Sequence, residues 1–585
     1  MKKSALGKIW QALPISENDV AKLTRELQIS DFLARLVSTR ITSPAEAPDF
    51  LDPKLKSLLP DPFHLLDMQK GADRVITAIK SKERICIFAD YDVDGATSSA
   101  LLKNVFREIA VNVDIYVPDR IEEGYGPTLA AMQRIKNCGI DVLITVDCGS
   151  VAFEALLHAS EIGLDVIVID HHISLDNLPK AIAVINPNRL DETSNCKNLA
   201  AVGVSFLFAV AFCSILKKEG FFENNSIKPP DLMNQLDIVA LGTVCDVMTL
   251  TGLNRAFVRQ GLKVARNRTN IGYAALCDVA GLEEAINCYH LGFVLGPRIN
   301  AGGRVGTSSL GAALLSTTNP AQASQMSIEL ASHNNNRKVI EMGILEEAFE
   351  YARPQSKKSV IFVSGNGWHP GVIGIIASRL KEKYNKPVAV IAVNDGIGKG
   401  SCRSVKGCDF GSALIEAKLN DLLIAGGGHA MAAGFTIEEA KLPLLQSFLD
   451  NKFESILKNS NSHLEEYYDL DLTSSAATTE LIDEIAKLEP FGNGNPSPVF
   501  KFSNLFVLKA DIVGGSHIKV LFATQKEAHG RPLDAIAFNA MNTVLAEIIL
   551  SRKPHNLSVF GTLKINSWQN RQTVQLQIKD MMIEE

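Results

Sequence analysis

Five short apolar segments between residues 84 and 186 constrain the fold of this 585-residue chain more than any other feature. They are RICIFAD, VDIYVP, DVLITVD, DVIVID and AIAVIN, and each is rich in isoleucine or valine without regular alternation. Such runs are typical of strands that are buried on both faces of a parallel sheet. Because helical stretches such as 96–109 and 128–136 separate them, the sequence predicts a doubly wound α/β domain.

Three further regions complete the predicted architecture. Thr318, Asn319 and Pro320 predict the start of a long polar helix, which Pro354 ends near residue 352. A second α/β unit follows, with strands SVIFVSG and PVAVIAV, a helix over 371–384, and glycine-rich segments that are typical of loops, up to about residue 434. After residue 465, short strand-like runs and one helix over 542–551 predict a closed barrel such as an OB-fold.

The predicted fold class is therefore α/β, with two α/β domains joined by a long helix and followed by an OB-fold-like β-barrel. The predicted boundaries are 1–50 for an N-terminal segment, 51–318 for a catalytic domain, 319–355 for the connector helix, 356–455 for the second α/β domain and 465–585 for the barrel.

Composition and charge narrow the class of protein. The formal net charge of −6 argues against a surface coated in positive charge, but local fields and bound divalent ions still permit a nucleic-acid ligand. The 10 cysteines include no CxxC pair, which favours reduced thiols in a cytoplasmic protein. Residues 199–216 carry no charge and reach the lower length limit of a membrane span. Gly203, Ser205 and Ser214 interrupt that segment, so we interpret it as a buried core helix and expect no membrane association.

Carboxylate and histidine side chains follow three of the predicted strands. They are Asp90, Asp92 and Asp94 in DYDVDG, Asp147 at the end of DVLITVD, and Asp170, His171 and His172 at the end of DVIVID. The carboxyl ends of parallel strands share one edge of the sheet, where ligand sites form. So many like charges repel one another unless divalent cations neutralise them. A mixed Asp/His set suits Mn²⁺, with Mg²⁺ or another divalent ion possible.

Two other interpretations of these residues fit the sequence less well. The DxDxDG pattern also begins an EF-hand calcium loop, but the twelfth position is Leu101 instead of glutamate, and a strand instead of a helix precedes the loop. Any one aspartate at a strand end is often only a helix cap. Caps and core histidines explain the whole set less well than a metal centre does.

The same motifs, together with Asp246 in ALGTVCDVMTL, resemble the successive motifs of the DHH phosphoesterases. The resemblance implies two ligand sets that share Asp147: Asp92, Asp147 and Asp246 for one metal, and Asp94, Asp147 and His171 for the other. It also implies catalytic roles near the metals for Asp90, Asp170 and His172, with His172 beside the scissile phosphate. Phe88 stands where some members have a metal-binding histidine, which implies a looser hold on the first metal.

Later blocks resemble the RecJ family within that superfamily. They are LGPRINAGGR, GWHPGVIGIIASRL, GKGSCRS, GGGHAMAAGF and EPFGNGNPSPVF, in the order of that family. The resemblance implies that the second α/β unit is a DHHA1 domain. It also implies a metal-dependent exonuclease that degrades single-stranded DNA from the 5′ end in DNA repair and recombination.

Candidate substrate-binding residues come from these blocks and from a basic cluster over 376–406. That cluster holds seven lysines and arginines against two acidic residues, a local charge of +5 (7 − 2), which suits a phosphate track. Within it, Arg379 and Arg403 are the candidate phosphate contacts, and Trp368 and His369 are equally consistent with stacking on a base and with packing the domain. The full candidate set is Arg298, Asn300, Arg304, Trp368, His369, Arg379, Ser401, Arg403 and His429.

The sequence leaves two other functions open. One is a DHH phosphodiesterase acting on short oligonucleotides or cyclic dinucleotides, and the other is a non-catalytic single-strand-binding relative. The barrel and the intact metal-ligand candidates favour a nuclease acting on a polymer. The resemblance also suggests a monomer, with a single-strand-binding protein and a helicase as partners.

Overall fold

The structure is a computed structural model that describes residues 2–120, 123–124, 126–459, 465–524, 532–551, 555–568 and 571–584. The chain forms two compact units. Unit 1 contains Met1–Pro60, Val247–Gln260 and Ser462–Glu585, and unit 2 contains Asp61–Asp246 and Gly261–Asn461.

The secondary structure elements are numbered along the chain. The strands are β1 (Ile9–Ala12), β2 (Ile85–Ala89), β3 (Val113–Tyr116), β4 (Val142–Val146), β5 (Asp165–Ile169), β6 (Ala183–Ile185), β7 (Ile361–Asn366), β8 (Val388–Asn394), β9 (Ile397–Arg403), β10 (Ala425–Gly428), β11 (Ala432–Glu438), β12 (Glu465–Tyr468), β13 (Leu470–Leu472), β14 (Phe500–Val513), β15 (His517–Thr524), β16 (Leu533–Ala537), β17 (Leu557–Trp568) and β18 (Arg571–Ile583). The helices are α1 (Glu17–Leu27), α2 (Asp31–Ser38), α3 (Ala47–Leu51), α4 (Leu55–Leu58), α5 (Met68–Ser81), α6 (Val93–Glu108), α7 (Leu129–Asn137), α8 (Phe153–Glu161), α9 (Ala201–Lys218), α10 (Phe221–Asn224), α11 (Leu236–Cys245), α12 (Gly252–Ala265), α13 (Ile271–Val279), α14 (Gly296–Val305), α15 (Leu310–Ser316), α16 (Pro320–Ala352), α17 (Ile373–Tyr384), α18 (Phe410–Leu419), α19 (Leu442–Asn459), α20 (Thr479–Ala486) and α21 (Val544–Ile549).

The first sheet of unit 2 is parallel, with strand order β3-β2-β4-β5-β6. Its central strands β2 and β4 are buried at every position, as their unbroken apolar sequences require. Helices α7 and α8 pack on one face of the sheet, and α5, α6 and α9 contact the strands from the other side. The predicted doubly wound domain is confirmed.

Helix α9 contains most of the uncharged segment over 199–216, whose length reaches the lower limit of a membrane span. It is long and apolar enough to cross a membrane, yet 67% of its apolar window is buried inside the protein. It packs against α5, α6 and α11. The helix therefore serves as the central core helix of the first domain, in agreement with the sequence interpretation.

The second sheet of unit 2 has strand order β10-β11-β9-β8-β7. Only its β7–β8 pairing is parallel among the described strands; the others are antiparallel. The prediction of loops at the glycine-rich segments was wrong, because these segments form β9, β10 and β11. Glycine carries no strand signal of its own, and here it is required by packing: a Cβ at Gly400 would overlap the ring of Phe435 on the neighbouring strand.

The long helix α16 begins and ends where the sequence predicts. Asn319 caps it by accepting the N–H groups of Ala321 and Gln322 at 2.9 and 3.3 Å, and Pro320 occupies the first turn. The helix contacts α13 and α14 of the first domain and α17 and β7 of the second. It thereby connects the two sheets of unit 2.

Unit 1 is built around a closed barrel. Its strands follow the order β14-β15-β16-β18-β17, and an additional β14–β17 pairing closes the sheet. Phe500, Phe502 and Phe522 are fully buried in its interior. The C-terminal OB-fold-like barrel is thus confirmed, with α21 inside the predicted helical stretch.

Residues distant in sequence complete unit 1. Helices α1 and α2 add apolar side chains to the barrel core, and β1 pairs with β12. The buried Arg255 guanidinium donates hydrogen bonds to the carbonyl oxygens of Phe50, Leu488, Glu489 and Pro490 at 2.7 to 3.2 Å. In unit 1, the EPFGNGNPSPVF block is therefore an anchoring segment.

Candidate metal centre and adjoining groove

The aspartates that follow strands β2, β4 and β5 meet at one edge of the parallel sheet. Asp90 directly follows β2 and Asp147 directly follows β4, and the strand order reverses between these two neighbouring strands. Such a reversal opens a crevice at the carboxyl ends of the strands, where ligands bind. The fold therefore gathers carboxylates from distant parts of the sequence at this crevice.

A first group consists of Asp90, Asp92 and Asp147, whose ligand atoms lie within 4.8 Å of one another. Asp92 is fixed by helix α6, because its Oδ1 accepts the N–H groups of Asp94 and Gly95 at 2.8 and 3.1 Å. Asp147 has φ +61°, a left-handed backbone that costs energy and clusters at functional sites. Asp90, expected only as a near-site group, thus lies among the possible ligands.

A second group consists of Asp94, His171 and Asp246, again within 4.8 Å. The His171 Nε2 lies 3.3 Å from Asp147, 3.5 Å from Asp246 and 3.8 Å from Asp94, measured to the nearest carboxylate oxygen given for each. Asp147 also forms a third group with His171 and His172, so it lies between the first two groups. The structure groups Asp246 with Asp94 and His171, which differs from the ligand sets that the resemblance implied.

Asp94 has a second role in the fold. Its Oδ2 accepts the N–H of Ala201 at 2.6 Å, and its Oδ1 accepts the N–H of Val202 at 2.9 Å. These amides belong to the first turn of α9. The N–H groups of a first turn have no acceptor within the helix, so they favour an anion. Each carboxylate oxygen keeps a further lone pair, so Asp94 can anchor α9 and still bind a cation.

Asp170 orients His172 and lies outside the candidate metal-ligand groups among the described residues. Its Oδ1 accepts the N–H of His171 at 2.7 Å and lies 2.8 Å from His172 Nδ1, and its Oδ2 accepts the N–H of Ser150 at 3.0 Å. Burial alone would raise the pKa of Asp170, but the hydrogen bond from His172 and those from the backbone hold it below its ordinary value. Asn186 supports the same loop by donating to the His172 carbonyl oxygen at 2.8 Å.

The electrostatics of the two groups favour cation binding. Burial, reinforced by the neighbouring carboxylates, raises the pKa of Asp90 to about 8 and that of Asp94 to about 7. The same causes raise the pKa of Asp246 to about 9 and that of Asp147 well above its ordinary value. Burial and the neighbouring His172 lower the pKa of His171 to about 4, which leaves the neutral imidazole that binds metals.

Two buried oxygens provide a direct test of whether the residues fit a metal. Asp90 Oδ1 and Asp246 Oδ2 have no hydrogen-bond donor, although a buried carboxylate oxygen without a partner is costly. One belongs to the first group and the other to the second. Carboxylate oxygens and a neutral imidazole are ligands that Mn²⁺ and Mg²⁺ accept, so the site fits a pair of divalent cations.

A cavity of about 760 Å³ within unit 2 adjoins this centre. Its polar and basic lining side chains are Arg120, Arg304, Lys399, Ser401, Arg403 and Thr436. No acidic side chain is among its described lining residues, and backbone glycines form much of the remaining wall. A concave surface with four cationic groups suits the phosphates of a nucleic acid. We call this cavity the basic groove.

Tyr91 of the DYDVDG motif links the basic groove to the metal centre. The Arg120 guanidinium lies 4.9 Å from the centre of the Tyr91 ring. Gly303, next to Arg304, packs so closely that a Cβ there would lie 2.7 Å from the Tyr91 carbonyl oxygen. Arg120 and Arg304 therefore stand at the end of the groove that is nearest to the carboxylates.

The groove arginines are held by neutral partners. Arg304 donates to the Gly371 carbonyl oxygen at 2.8 Å, and Arg403 donates to the Cys402 carbonyl oxygen at 2.8 Å. Burial, with Arg120 and other cations nearby, lowers the pKa of Arg304 to about 10. Burial likewise lowers the pKa of Arg403. A bound phosphate would relieve this repulsion.

Several candidates from the sequence lie outside the groove. Trp368 is 3% exposed and its indole N–H donates to Glu347 at 2.8 Å, so its ring packs the domain and is not available to a base. Arg379 is 57% exposed and lies 3.6 and 3.9 Å from Glu382 and Glu341. His429 is exposed in the turn between β10 and β11. The structure thus corrects the stacking role considered for Trp368, and it places Arg379 and His429 outside the residues that line the groove.

The remaining candidates lie near the groove or on α14. His369 is half-buried, and its Nδ1 accepts the N–H of Gly371, a lining residue, at 3.0 Å. Arg298 donates to the Val294 carbonyl oxygen at 2.6 Å, and Asn300 is half-buried on the same helix.

Sequence reasoning missed Arg120. It follows β3, the strand beside β2, so the rule that ligands bind at the carboxyl ends of parallel strands could have found it.

Comparison with known proteins gives consistent matches along the whole chain. The DHH family N-terminal domain matches residues 84–243, the DHHA1 domain residues 357–455 and the RecJ OB domain residues 468–580. Single-stranded-DNA-specific exonuclease RecJ of Bacillus subtilis is 33% identical over 98% of this chain and 71% of its own length. The proteins of the same name from Salmonella typhimurium and Escherichia coli are 34% and 35% identical, covering 96% and 89% of this chain and 97% and 91% of their own.

Solved structures give the same result. The crystal structure of RecJ from Thermus thermophilus in complex with Mn²⁺ superposes with a TM-score of 0.81 and 27% identity, over 98% of this chain and 79% of that one. The corresponding Mg²⁺ complex gives a TM-score of 0.76 and 26% identity, over 98% and 78%.

Proposed function

Because the chain belongs to the RecJ family of DHH phosphoesterases, we propose that it is a metal-dependent exonuclease that hydrolyses the phosphodiester bonds of single-stranded DNA. The observation that carries this proposal is the pair of carboxylate groups that meet at Asp147. Those groups lie at the crevice between β2 and β4, and they adjoin a groove lined by cationic side chains.

The residues of the centre divide into roles. We assign Asp90, Asp92 and Asp147 to one cation, and Asp94, His171 and Asp246 to the other, with Asp147 as the shared ligand. Bound divalent cations would supply Lewis-acid chemistry, which activates water and stabilises negative charge on the phosphate.

The protein groups around the centre position the reacting phosphate. We assign to His172 a hydrogen bond to the scissile phosphate, with its ring held in place by Asp170. As the bond from water to phosphorus forms, the bond from phosphorus to the leaving oxygen breaks, and that oxygen takes up a proton. Arg304 and Arg403 would bind non-bridging phosphate oxygens through N–H groups that are already fixed by carbonyl partners.

Selectivity for single strands follows from the form of the groove. A cavity of about 760 Å³ holds one or two nucleotides, whereas a base-paired duplex needs far more space. The barrel of unit 1 belongs to a fold that commonly binds single strands by stacking and charge. The barrel supports a polymer substrate over a free dinucleotide.

The decisive experiment compares labelled DNA substrates. Single strands and duplexes labelled at the 5′ or the 3′ end, and a short dinucleotide, are incubated with and without Mn²⁺. We expect the protein to degrade long single strands only when Mn²⁺ is present and to leave the duplex intact. Preferential cleavage of the dinucleotide, or equal cleavage of the duplex, would contradict the proposal.

Some finer properties rest on family resemblance alone. We infer that degradation proceeds from the 5′ end, so that a 5′ label is released before a 3′ label. We also propose a cytoplasmic monomer that works in repair and recombination with a single-strand-binding protein and a helicase. Sedimentation measures the oligomeric state, and co-purification measures the binding of the two partner proteins. Neither measurement depends on hydrolysis.

A further inference from the structure

Two aromatic side chains of unit 2 are exposed side by side. Tyr289 and Phe293 are 63% and 73% exposed, and their ring centres lie 5.4 Å apart with an interplanar angle of 23°. Single exposed apolar residues are ordinary, but two large rings that contact each other and face solvent indicate an interaction surface. We call this pair the aromatic platform.

The aromatic platform stands on a rigid base. It lies on a helical segment that includes the π-helical turn His290–Leu295, a rare conformation that is often found at functional sites. Leu291 and Leu295 are fully buried. His290 exchanges hydrogen bonds with Asn287 at 3.2 Å and lies 3.1 Å from Glu284. The rings are therefore held by a packed helix and not by a loose loop.

The base of the platform packs against Cys245, the residue next to the candidate ligand Asp246. The Cys245 thiol donates to the Leu291 carbonyl oxygen at 3.3 Å, and Cys245 immediately precedes Asp246. A Cβ at Gly296 would overlap the Cys245 sulfur, which shows how closely the two helices approach. The helix that carries the platform thus contacts the residue that precedes the candidate ligand Asp246.

A cation accompanies the rings. Arg298 donates to the carbonyl oxygen of Val294, the residue next to Phe293, at 2.6 Å, and its buried Nε has no hydrogen-bond partner. A ring face for a base and a guanidinium for a phosphate are the two groups that single-stranded nucleic-acid sites combine.

We propose that Tyr289 and Phe293 form a base-stacking site that binds one nucleobase of the single strand next to the metal centre, with Arg298 on the adjoining phosphate. This inference rests on the proposed function. Stacking tolerates any sequence, because every base has a π face, which suits an enzyme that degrades DNA without regard to sequence. The site would hold the strand in register while the phosphate lies at the carboxylates.

The first test measures binding without hydrolysis. Full-length protein is titrated against a fluorescein-labelled oligothymidylate in EDTA, and anisotropy gives the Kd. Phe293→Leu and Tyr289→Leu keep an apolar side chain but remove the ring, and we expect each to weaken binding about tenfold. Phe293→Trp should restore affinity, and Leu419→Ala, at a residue that is 79% exposed on α18, is the matched control without effect. Wild-type affinity in the double leucine variant would overturn the site.

The second test locates the stacked base. One abasic position is moved along the oligonucleotide, and the Kd is measured for wild-type protein and for the double leucine variant. We expect a loss of about tenfold at one position in the wild type and none at that position in the variant. An identical response of both proteins at every position would overturn the site.

Failure of this inference differs from failure of the proposed function. If wild-type protein degrades single strands with Mn²⁺ while the leucine variants bind as wild type does, only the stacking site is rejected. If wild-type protein binds the strand through the rings but does not hydrolyse it, the nuclease proposal is rejected and the stacking site stands.

Discussion

His172 Nδ1 lies 2.8 Å from Asp170 Oδ1, and that carboxylate is itself fixed by backbone N–H groups of Ser150 and His171. The bond fixes the ring orientation of His172 and holds the proton on Nδ1. Asp170→Asn keeps the shape of the side chain but weakens this control. We expect a 10- to 100-fold loss of hydrolysis, in line with the roughly 10- to 100-fold effect of similar supporting groups.

A double-mutant cycle isolates this positioning role. Asp170→Asn in a His172→Ala background should cause little further loss, because the ring that Asp170 holds is gone. The affinity for Mn²⁺, measured by calorimetry, should change little in Asp170→Asn. If Asp170→Asn reduced hydrolysis as much in the His172→Ala background as in wild type, Asp170 would act independently of His172.

Asp147 occupies the position between the two carboxylate groups. Asp147→Ala should reduce hydrolysis of single strands by more than about 100-fold, beyond the loss expected for a supporting residue. Circular dichroism should show an unchanged fold. In metal-free protein near neutral pH the variant should unfold at a higher temperature than wild type, because burial and the neighbouring carboxylates raise the pKa of Asp147 and so disfavour its ionised form in the folded state. Cleavage near the wild-type rate with Mn²⁺ would reject the assignment.

Divalent cations should stabilise the folded protein. A ligand that binds only the folded state adds about 2.7 kcal/mol when its concentration is a hundred times its Kd. We expect the Tm of wild-type protein to rise with Mn²⁺ and the Tm of Asp147→Ala to rise much less. Calorimetric scans over a Mn²⁺ series measure both proteins, and equal increases would show that the stabilising ion binds elsewhere.

Arg403 lines the basic groove, whereas Arg379 lies outside its lining and near two glutamates. Arg403→Ala should weaken binding to single strands and reduce the slope of log K against log salt by about 0.7, the value for one phosphate contact on a single strand. Arg379→Ala is the matched control and should change the slope little. An unchanged slope in Arg403→Ala, measured by salt titration, would remove its phosphate role.

Trp368 is buried and should contribute to stability, not to DNA binding. Trp368→Phe removes the hydrogen bond to Glu347 and keeps an apolar ring, so it should lower the free energy of unfolding by about 1 kcal/mol. The affinity for single strands should stay at the wild-type value. A large loss of affinity without loss of stability would show that Trp368 contacts the substrate.

The elements predicted best are those whose signals are local. Asn319 and Pro320 start α16 and Pro354 lies just beyond its end, because capping and proline geometry act within one helical turn. Strands β2 and β4 could be predicted because unbroken apolar sequences are typical of strands that are buried on both faces. The aspartates at their ends could be placed together because the edge of a parallel sheet is fixed by topology.

The features that escaped prediction depend on distant packing. Gly400 lies in a strand because the Phe435 ring occupies the space of its missing side chain. Trp368 packs against α16, which sequence position alone does not reveal. The pairing of β1 with β12 joins residues more than 450 positions apart, as in Ile9 with Glu465, and no local pattern encodes it.

Asp94 ties the chemistry of this protein to its folding. Its two oxygens cap the first turn of α9, the most apolar long helix of unit 2, and they also lie among the candidate metal ligands. Loss of Asp147 would spare the scaffold, whereas loss of Asp94 would leave the amides of a buried helix without an acceptor. We therefore expect a descendant without hydrolytic activity to lose its other acidic groups first and to retain Asp94.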